Sequence, residues 1–97
     1  YTEGLRKLRA ERAWLTEALS AIPGLRVIPS QANYLLVELT NGMHATALTK
    51  RLLLEYDLLI KDLSRKIRMG DRQFVRLAVR DRADNFRLVA ALTAVLA

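Results

Sequence analysis

The stretch Gln73-Phe-Val-Arg-Leu-Ala-Val-Arg80 constrains the chain most. Val75, Leu77 and Val79 alternate with Phe74, Arg76 and Ala78, the period of a strand that keeps one face in a core. Asp81 follows at once and suits a helix N-cap; Asp84, three residues on, completes a capping-box-like pair, and both acids suit the positive end of a helix dipole. A half-buried strand feeding a capped helix commits the chain to a sheet with helices laid against it. It also leaves Arg76 in mid-strand, on the face turned from the core. A permanent cation there requires solvent, a carboxylate partner or an anionic ligand.

The remaining segments follow from periodicity and punctuation. Leu5, Leu8, Leu15, Leu19 and Ile22 fall on one side of a helix over Glu3–Leu19, with Trp14 off that stripe and Pro23-Gly24 as the stop. Leu25–Ile28 reads as a short strand closed by Pro29-Ser30. Tyr34–Leu39 reads as a second, with Tyr34, Leu36 and Glu38 on one face and Leu35, Val37 and Leu39 on the other. After the turn Thr40-Asn-Gly42, a helix opens near His44 or Thr46 and runs to about Tyr56. Leu58–Ile60 is then a short buried strand ending at Lys61-Asp62. The chain turns polar and basic from Leu63 to Arg72, as a surface loop does. Phe86, Val89, Leu92 and Leu96, with Leu88 and Val95 beside them, give the last helix its apolar face. The fold class is α/β two-layer (α+β): a three- to four-stranded mixed sheet with helices packed on one side and long helices at both termini. Residues 1–97 form a single domain. Tyr1 is no start-codon product and helix follows it almost directly, so the chain reads as a piece cut from a longer protein.

Composition removes several function classes. No apolar run approaches the roughly 20 residues that span a bilayer. With no cysteine and one histidine, His44, neither a disulfide scaffold nor a zinc site is available from this chain, and the lack of cysteine fits the cytoplasm. The net charge of +6 admits an anionic partner. Yet the 16 basic residues are scattered among acids, which argues against nucleic acid. The four glycines are isolated, so there is no glycine-rich phosphate loop, and no nucleophile–base or carboxylate pair stands out. What remains is a set suited to binding an anion: Arg76 in mid-strand, Lys61 at a strand end and Asn33 at a strand start. Asn33 also suits a plain structural duty in its turn. Arginine's planar fork orients a carboxylate or phosphate as well as neutralising it.

Three motifs occur in one order: Pro29-Ser-Gln-Ala-Asn-Tyr34, Leu59-Ile-Lys-Asp62, and Phe74-Val-Arg-Leu-Ala-Val79 with Asp84-Asn85. Together they resemble the C-terminal small domain of fold-type I pyridoxal-phosphate enzymes, closest to histidinol-phosphate aminotransferases and threonine-phosphate decarboxylases. The resemblance implies that Arg76 grips the substrate's α-carboxylate or phosphate. Lys61 stands where the group often carries arginine, keeping the charge without the fork, and Asn33 matches an asparagine near the active site. Arg80-Asp81 replaces a Gly-Thr common in the aminotransferases of this group, and Val79-Arg80 resembles more the decarboxylase or an uncharacterised relative, which leaves aminotransferase and amino-acid phosphate decarboxylase both open. By the same resemblance pyridoxal 5'-phosphate belongs to the full-length enzyme. Its Schiff-base lysine lies in a large domain that these residues do not include, so no cofactor is expected on this fragment, which would be inactive alone. The partners implied are that large domain, a small anionic amino-acid or amino-phosphate substrate and a second copy in a homodimer. Small-domain closure would exclude water, with the basic loop Arg65–Arg72 at the rim. A competing reading is a stand-alone basic α/β module that binds nucleic acid or a regulatory ligand.

Overall fold

Alternation along two six-residue strands builds the centre of the fold. A computed structural model of the chain describes residues 2–67 and 70–97. Its elements are α1 (Thr2–Ser20), β1 (Leu25–Ile28), β2 (Tyr34–Leu39), α2 (Ala45–Tyr56), β3 (Lys61–Asp62), β4 (Gln73–Ala78) and α3 (Arg82–Leu96). They form a four-stranded sheet in the order β1-β2-β4-β3. Leu35, Val37 and Leu39 of β2 and Val75, Leu77 and Val79 of the β4 stretch point to one face, as their alternation predicts. There they join Leu15 and Leu19 of α1, Leu48 and Leu52 of α2, and Leu88 and Leu92 of α3 in a single core. Leu15, Leu19, Val37, Leu48 and Leu52 are fully buried. Each such side chain contributes about 1.5–3 kcal/mol. The two-layer expectation holds, with helices on one side and the other face of the sheet bare.

The pairing departs from the mixed sheet that the sequence suggested. Every neighbouring pair is antiparallel. The strand–helix–strand unit β2-α2-β3 does form, and its two strands run the same way, but β4 slots between them and is antiparallel to both. The strand read at Leu58–Ile60 also moves. Asp57 ends α2 in the left-handed conformation, at φ 55°, and the chain comes alongside β4 only where Lys61 meets Arg76. Leu58–Ile60 is therefore the approach to the sheet: Ile60 is buried, while Leu59 is 80% exposed.

Helix ends show where tertiary contacts replace local ones. His44 occupies the N-cap of α2 without a side-chain capping bond. Gln73, arriving from β4, accepts the Ala45 N–H at 2.8 Å instead. At α3 the Asp81 carboxylate accepts the Asp84 N–H at 2.9 Å, but only half of the capping box forms, because the Asp84 side chain pairs with Arg80 and Arg87. The buried stripe of α3 is Asn85, Leu88, Ala91, Leu92 and Val95. Phe86 stays exposed on its flank and stacks on Trp14 of α1, with ring centroids 6.5 Å apart.

Candidate functional site

The bare face of the sheet carries Arg26, Ile28, Tyr34, Leu36, Glu38, Lys61, Phe74, Arg76 and Ala78 in adjacent rows. Register brings two of the sequence candidates together. Lys61 stands directly opposite Arg76 in the β3–β4 pair, and both are exposed. Asn33 joins them from the start of β2, where its carbonyl accepts the Val79 N–H at 2.9 Å. All three line one open cleft of about 840 Å³, with Tyr34, Leu59, Ile60, Ala78, Val79 and Arg80.

Charge in this cleft is of one sign. Its lining includes Lys61, Arg76 and Arg80 and no carboxylate. The nearby acids are committed elsewhere. Glu38, buried, accepts hydrogen bonds from Arg72 at 2.8 and 3.1 Å and from Arg26 at 2.9 Å. Those bonds, from Arg72 first and then Arg26, hold its carboxyl at about 2. Asp62 faces the helices. Burial pushes its pKa up, but the hydroxyl of Thr46 at 2.6 Å and the N–H of Ser64 at 2.9 Å prevail and hold it below the usual aspartate range. Arg76 makes no ion pair among the described residues. Its guanidinium lies 5.0 Å from the centroid of the Tyr34 ring, which orients the fork without neutralising it.

The cleft is braced from the helix side by Arg12, which the sequence did not single out, and by Asn85, which it showed only within a motif. Arg12 of α1 donates from Nη1 to the carbonyls of Gln31 (2.9 Å) and Ala32 (3.2 Å), and the Ser30 hydroxyl accepts the Ala32 N–H at 3.0 Å. The loop before Asn33 is thereby fixed, and the Asn33 side chain remains exposed. Asn85 is 1% exposed. Its Oδ1 accepts the Arg80 N–H at 2.9 Å, while Nδ2 donates to the Arg80 carbonyl at 2.8 Å and to Glu11 at 3.3 Å. Truncating it would strand buried backbone groups at roughly 1–3 kcal/mol. Arg82 also binds Glu11, at 2.9 Å, so α1, α3 and the end of β4 form one polar joint. Arg80 and Tyr34 were legible in principle, since each continues the alternation of the bare face. Arg12 gave no signal, because a helix arginine that reaches loop carbonyls looks like any solvated one.

The basic loop supplies no lining to the open cleft among the described residues. It leaves the sheet at the far end of the β3–β4 pair, where the Leu63 N–H meets the Phe74 carbonyl at 3.1 Å. Arg68 of that stretch lies outside the described residues.

The chain also matches known proteins over nearly its whole length. The family model for aminotransferase class I and II matches residues 1–92. Histidinol-phosphate aminotransferase 1 of Burkholderia lata is 40% identical over 89 residues, covering 92% of this chain and 24% of that protein. A CMP-5'-(3-aminopropyl)phosphonate synthase of Streptomyces rubellomurinus is 35% identical over 96 residues, covering 99% of this chain and 15% of that protein. The crystal structure of the L-threonine-O-3-phosphate decarboxylase of Porphyromonas gingivalis superposes with a TM-score of 0.85 at 33% identity, over 94% of this chain and 27% of that one. The chain thus spans less than a third of each of these proteins. With nearly its whole length matched, the chain belongs to the class I and II aminotransferase family.

Proposed function

We propose that residues 1–97 are the substrate-clamping small domain of a pyridoxal-phosphate-dependent aminotransferase of the histidinol-phosphate aminotransferase type. Arg76, Lys61 and Asn33 hold the anionic group of an amino-acid or amino-phosphate substrate. One observation carries this reading: Arg76 and Lys61 face each other on a bare sheet, in a cleft without a carboxylate, while Glu38 and Asp62 are occupied elsewhere. An unneutralised pair of cations, one with a planar fork, is a receptor for a carboxylate or phosphate.

The cleft's own residues fit the substrate's anionic end and not the cofactor. Its lining supplies cations, an amide and a phenol, but no acid to pair with a protonated pyridine nitrogen. The groups that hold pyridoxal 5'-phosphate are assigned to the large domain, where the cofactor supplies an electron sink for bonds at the substrate α-carbon. This chain orients. Arg76 fixes the anion, Tyr34 backs the guanidinium, and the exposed Tyr34 and Leu59 close over the substrate when the small domain moves, excluding water. A homodimer in the cytoplasm completes the proposal.

The decisive experiment uses the full-length enzyme. Arg76→Ala weakens binding of substrate, or of an anionic substrate analogue, by roughly 2–4 kcal/mol. Unchanged affinity removes Arg76 from the site. A second reading, decarboxylation of an amino-acid phosphate, draws support from the decarboxylases among the relatives. A 30%-identical L-serine phosphate decarboxylase of Sulfurospirillum multivorans matches 99% of this chain. Assaying the full-length enzyme for carbon dioxide release against keto-acid formation separates the two.

A further inference from the structure

Arg80 is the cleft's third cation. It continues the row Phe74, Arg76, Ala78 on the bare side, with Val79 between them turned into the core. Its backbone is held at both polar atoms by Asn85, at 2.9 and 2.8 Å, so the root of the side chain is fixed. The guanidinium is not. It rests on Asp84 at 2.9 Å, in a pair whose side chains are 66% and 34% exposed. Exposed pairs of this kind are weak and screened. Asp84 also has Arg87 within 4.0 Å, so it keeps a cationic neighbour when Arg80 leaves. A fixed root with a lightly tethered end is a movable arm.

Spacing shows what the arm can reach. Arg76 and Arg80 are four residues apart on extended backbone, hence about 13 Å between Cα atoms. Ala78 lies between them, leaving a low floor across from Tyr34. With Lys61 beside Arg76, the cleft has cationic groups at both ends of that floor.

We propose that Arg80 is a specificity-determining residue: it swings from Asp84 to meet a second anionic group, so the cleft prefers a small two-headed anion over a one-headed one. The inference rests on the anion-cleft reading above and adds to it the second head, and with it the role of Asp84 as competitor.

The test titrates the full-length enzyme by calorimetry at constant ionic strength. The probes are O-phospho-L-serine, which carries two anionic heads, and acetate and inorganic phosphate, which carry one each. The wild-type enzyme is expected to bind phosphoserine more tightly than either one-headed probe. Arg80→Gln should weaken phosphoserine about tenfold while leaving acetate unchanged, the scale of one charge-assisted contact. Asp84→Asn, which frees the arm, should strengthen phosphoserine about threefold, since an exposed pair is all it removes. Far-ultraviolet circular dichroism of both variants confirms that each is folded. If Arg80→Gln keeps the wild-type preference while Arg76→Gln weakens every probe, the role of Arg80 is overturned and the cleft stands. If Arg76→Gln also changes nothing, the cleft reading itself has failed.

Discussion

The bare face of the sheet has two halves built from the same parts. In one, the Arg72 guanidinium lies 5.0 Å from the ring of Phe74; in the other, that of Arg76 lies 5.0 Å from the ring of Tyr34. Each half has a second cation nearby, Arg26 in the first and Lys61 in the second. The difference is one carboxylate. Glu38 stands opposite Phe74 and neutralises Arg26 and Arg72 at 2.7 and 2.8 Å, whereas Leu36 stands opposite Arg76 and offers nothing. Where the acid is present, arginine is mortar: it covers Phe74, which is only 3% exposed although it points away from the helices. Where the acid is missing, Arg76 has no ion-pair partner among the described residues. The strand sequence around each arginine does not decide between these fates; the residue across the ladder does.

The comparison breaks most sharply if the second half is turned into the first. Leu36→Glu places a carboxylate opposite Arg76, in the register that Glu38 has with Phe74. The new acid should pair with Arg76 and compete with the substrate, lowering affinity of the full-length enzyme for an anionic analogue by roughly 2–4 kcal/mol, as Arg76→Ala does. Calorimetric titration reads this directly. An intact, folded variant with wild-type affinity would mean that the free charge of Arg76 is not what the cleft uses.

The first half is tested through pH. Hydrogen bonds from Arg72 and then Arg26 lower the Glu38 pKa from 4.5 to about 2. A carboxylate with a depressed folded-state pKa contributes stability that is fully present above its unfolded pKa and is lost as pH falls through the folded one. Thermal melts of the chain should therefore lose several degrees of Tm between about pH 4.5 and pH 2, beyond what other acids contribute. In Glu38→Gln the melting temperature starts lower at neutral pH, and that component of the acid loss is missing. Parallel acid profiles for the two proteins would show that Glu38 is a bystander.

Much of this division was legible in the sequence, and the illegible part has identifiable causes. Alternation at Val75, Leu77 and Val79 located the core face, and it placed Arg76 on the other side before any neighbour was known. It also put Glu38 and Tyr34 on a common face of β2. Alternation says nothing of which strands are neighbours, so the insertion of β4 between β2 and β3 stayed hidden, and with it the register of Lys61 opposite Arg76. The same limit explains Leu58–Ile60: an apolar run looks like a strand, whereas pairing begins only where the edge of β4 is within reach. Phe86 was misplaced for a related reason. Its spacing fits a helix face, but Trp14, from the far end of the chain, drew it to the flank. Asn85 was visible only as part of a motif; its three hydrogen bonds depend on α1 and β4 meeting at the start of α3.

The smallest expected effect sharpens the second half without breaking it. Lys61 contributes a compact charge opposite Arg76 but no planar fork. Lys61→Arg keeps the charge on the same exposed edge, so folding and the register opposite Arg76 are preserved. What changes is geometry: a guanidinium makes two parallel bonds to a phosphate or carboxylate where an ammonium acts as a point charge. The longer side chain gives back part of this advantage in ordering, since the site is open to solvent. The variant should bind an organophosphate analogue about two- to threefold more tightly, roughly 0.5 kcal/mol, within the range of exposed charge pairs. Its affinity for a monocarboxylate should stay nearly constant, because Arg76 already supplies the fork for that group. Paired titrations of the two probes against wild type and variant measure the difference. Equal gains for both would mean that Lys61 acts on the cleft as a whole, through potential alone. No gain for either would place the second head of the substrate beyond the reach of Lys61, nearer to Arg80.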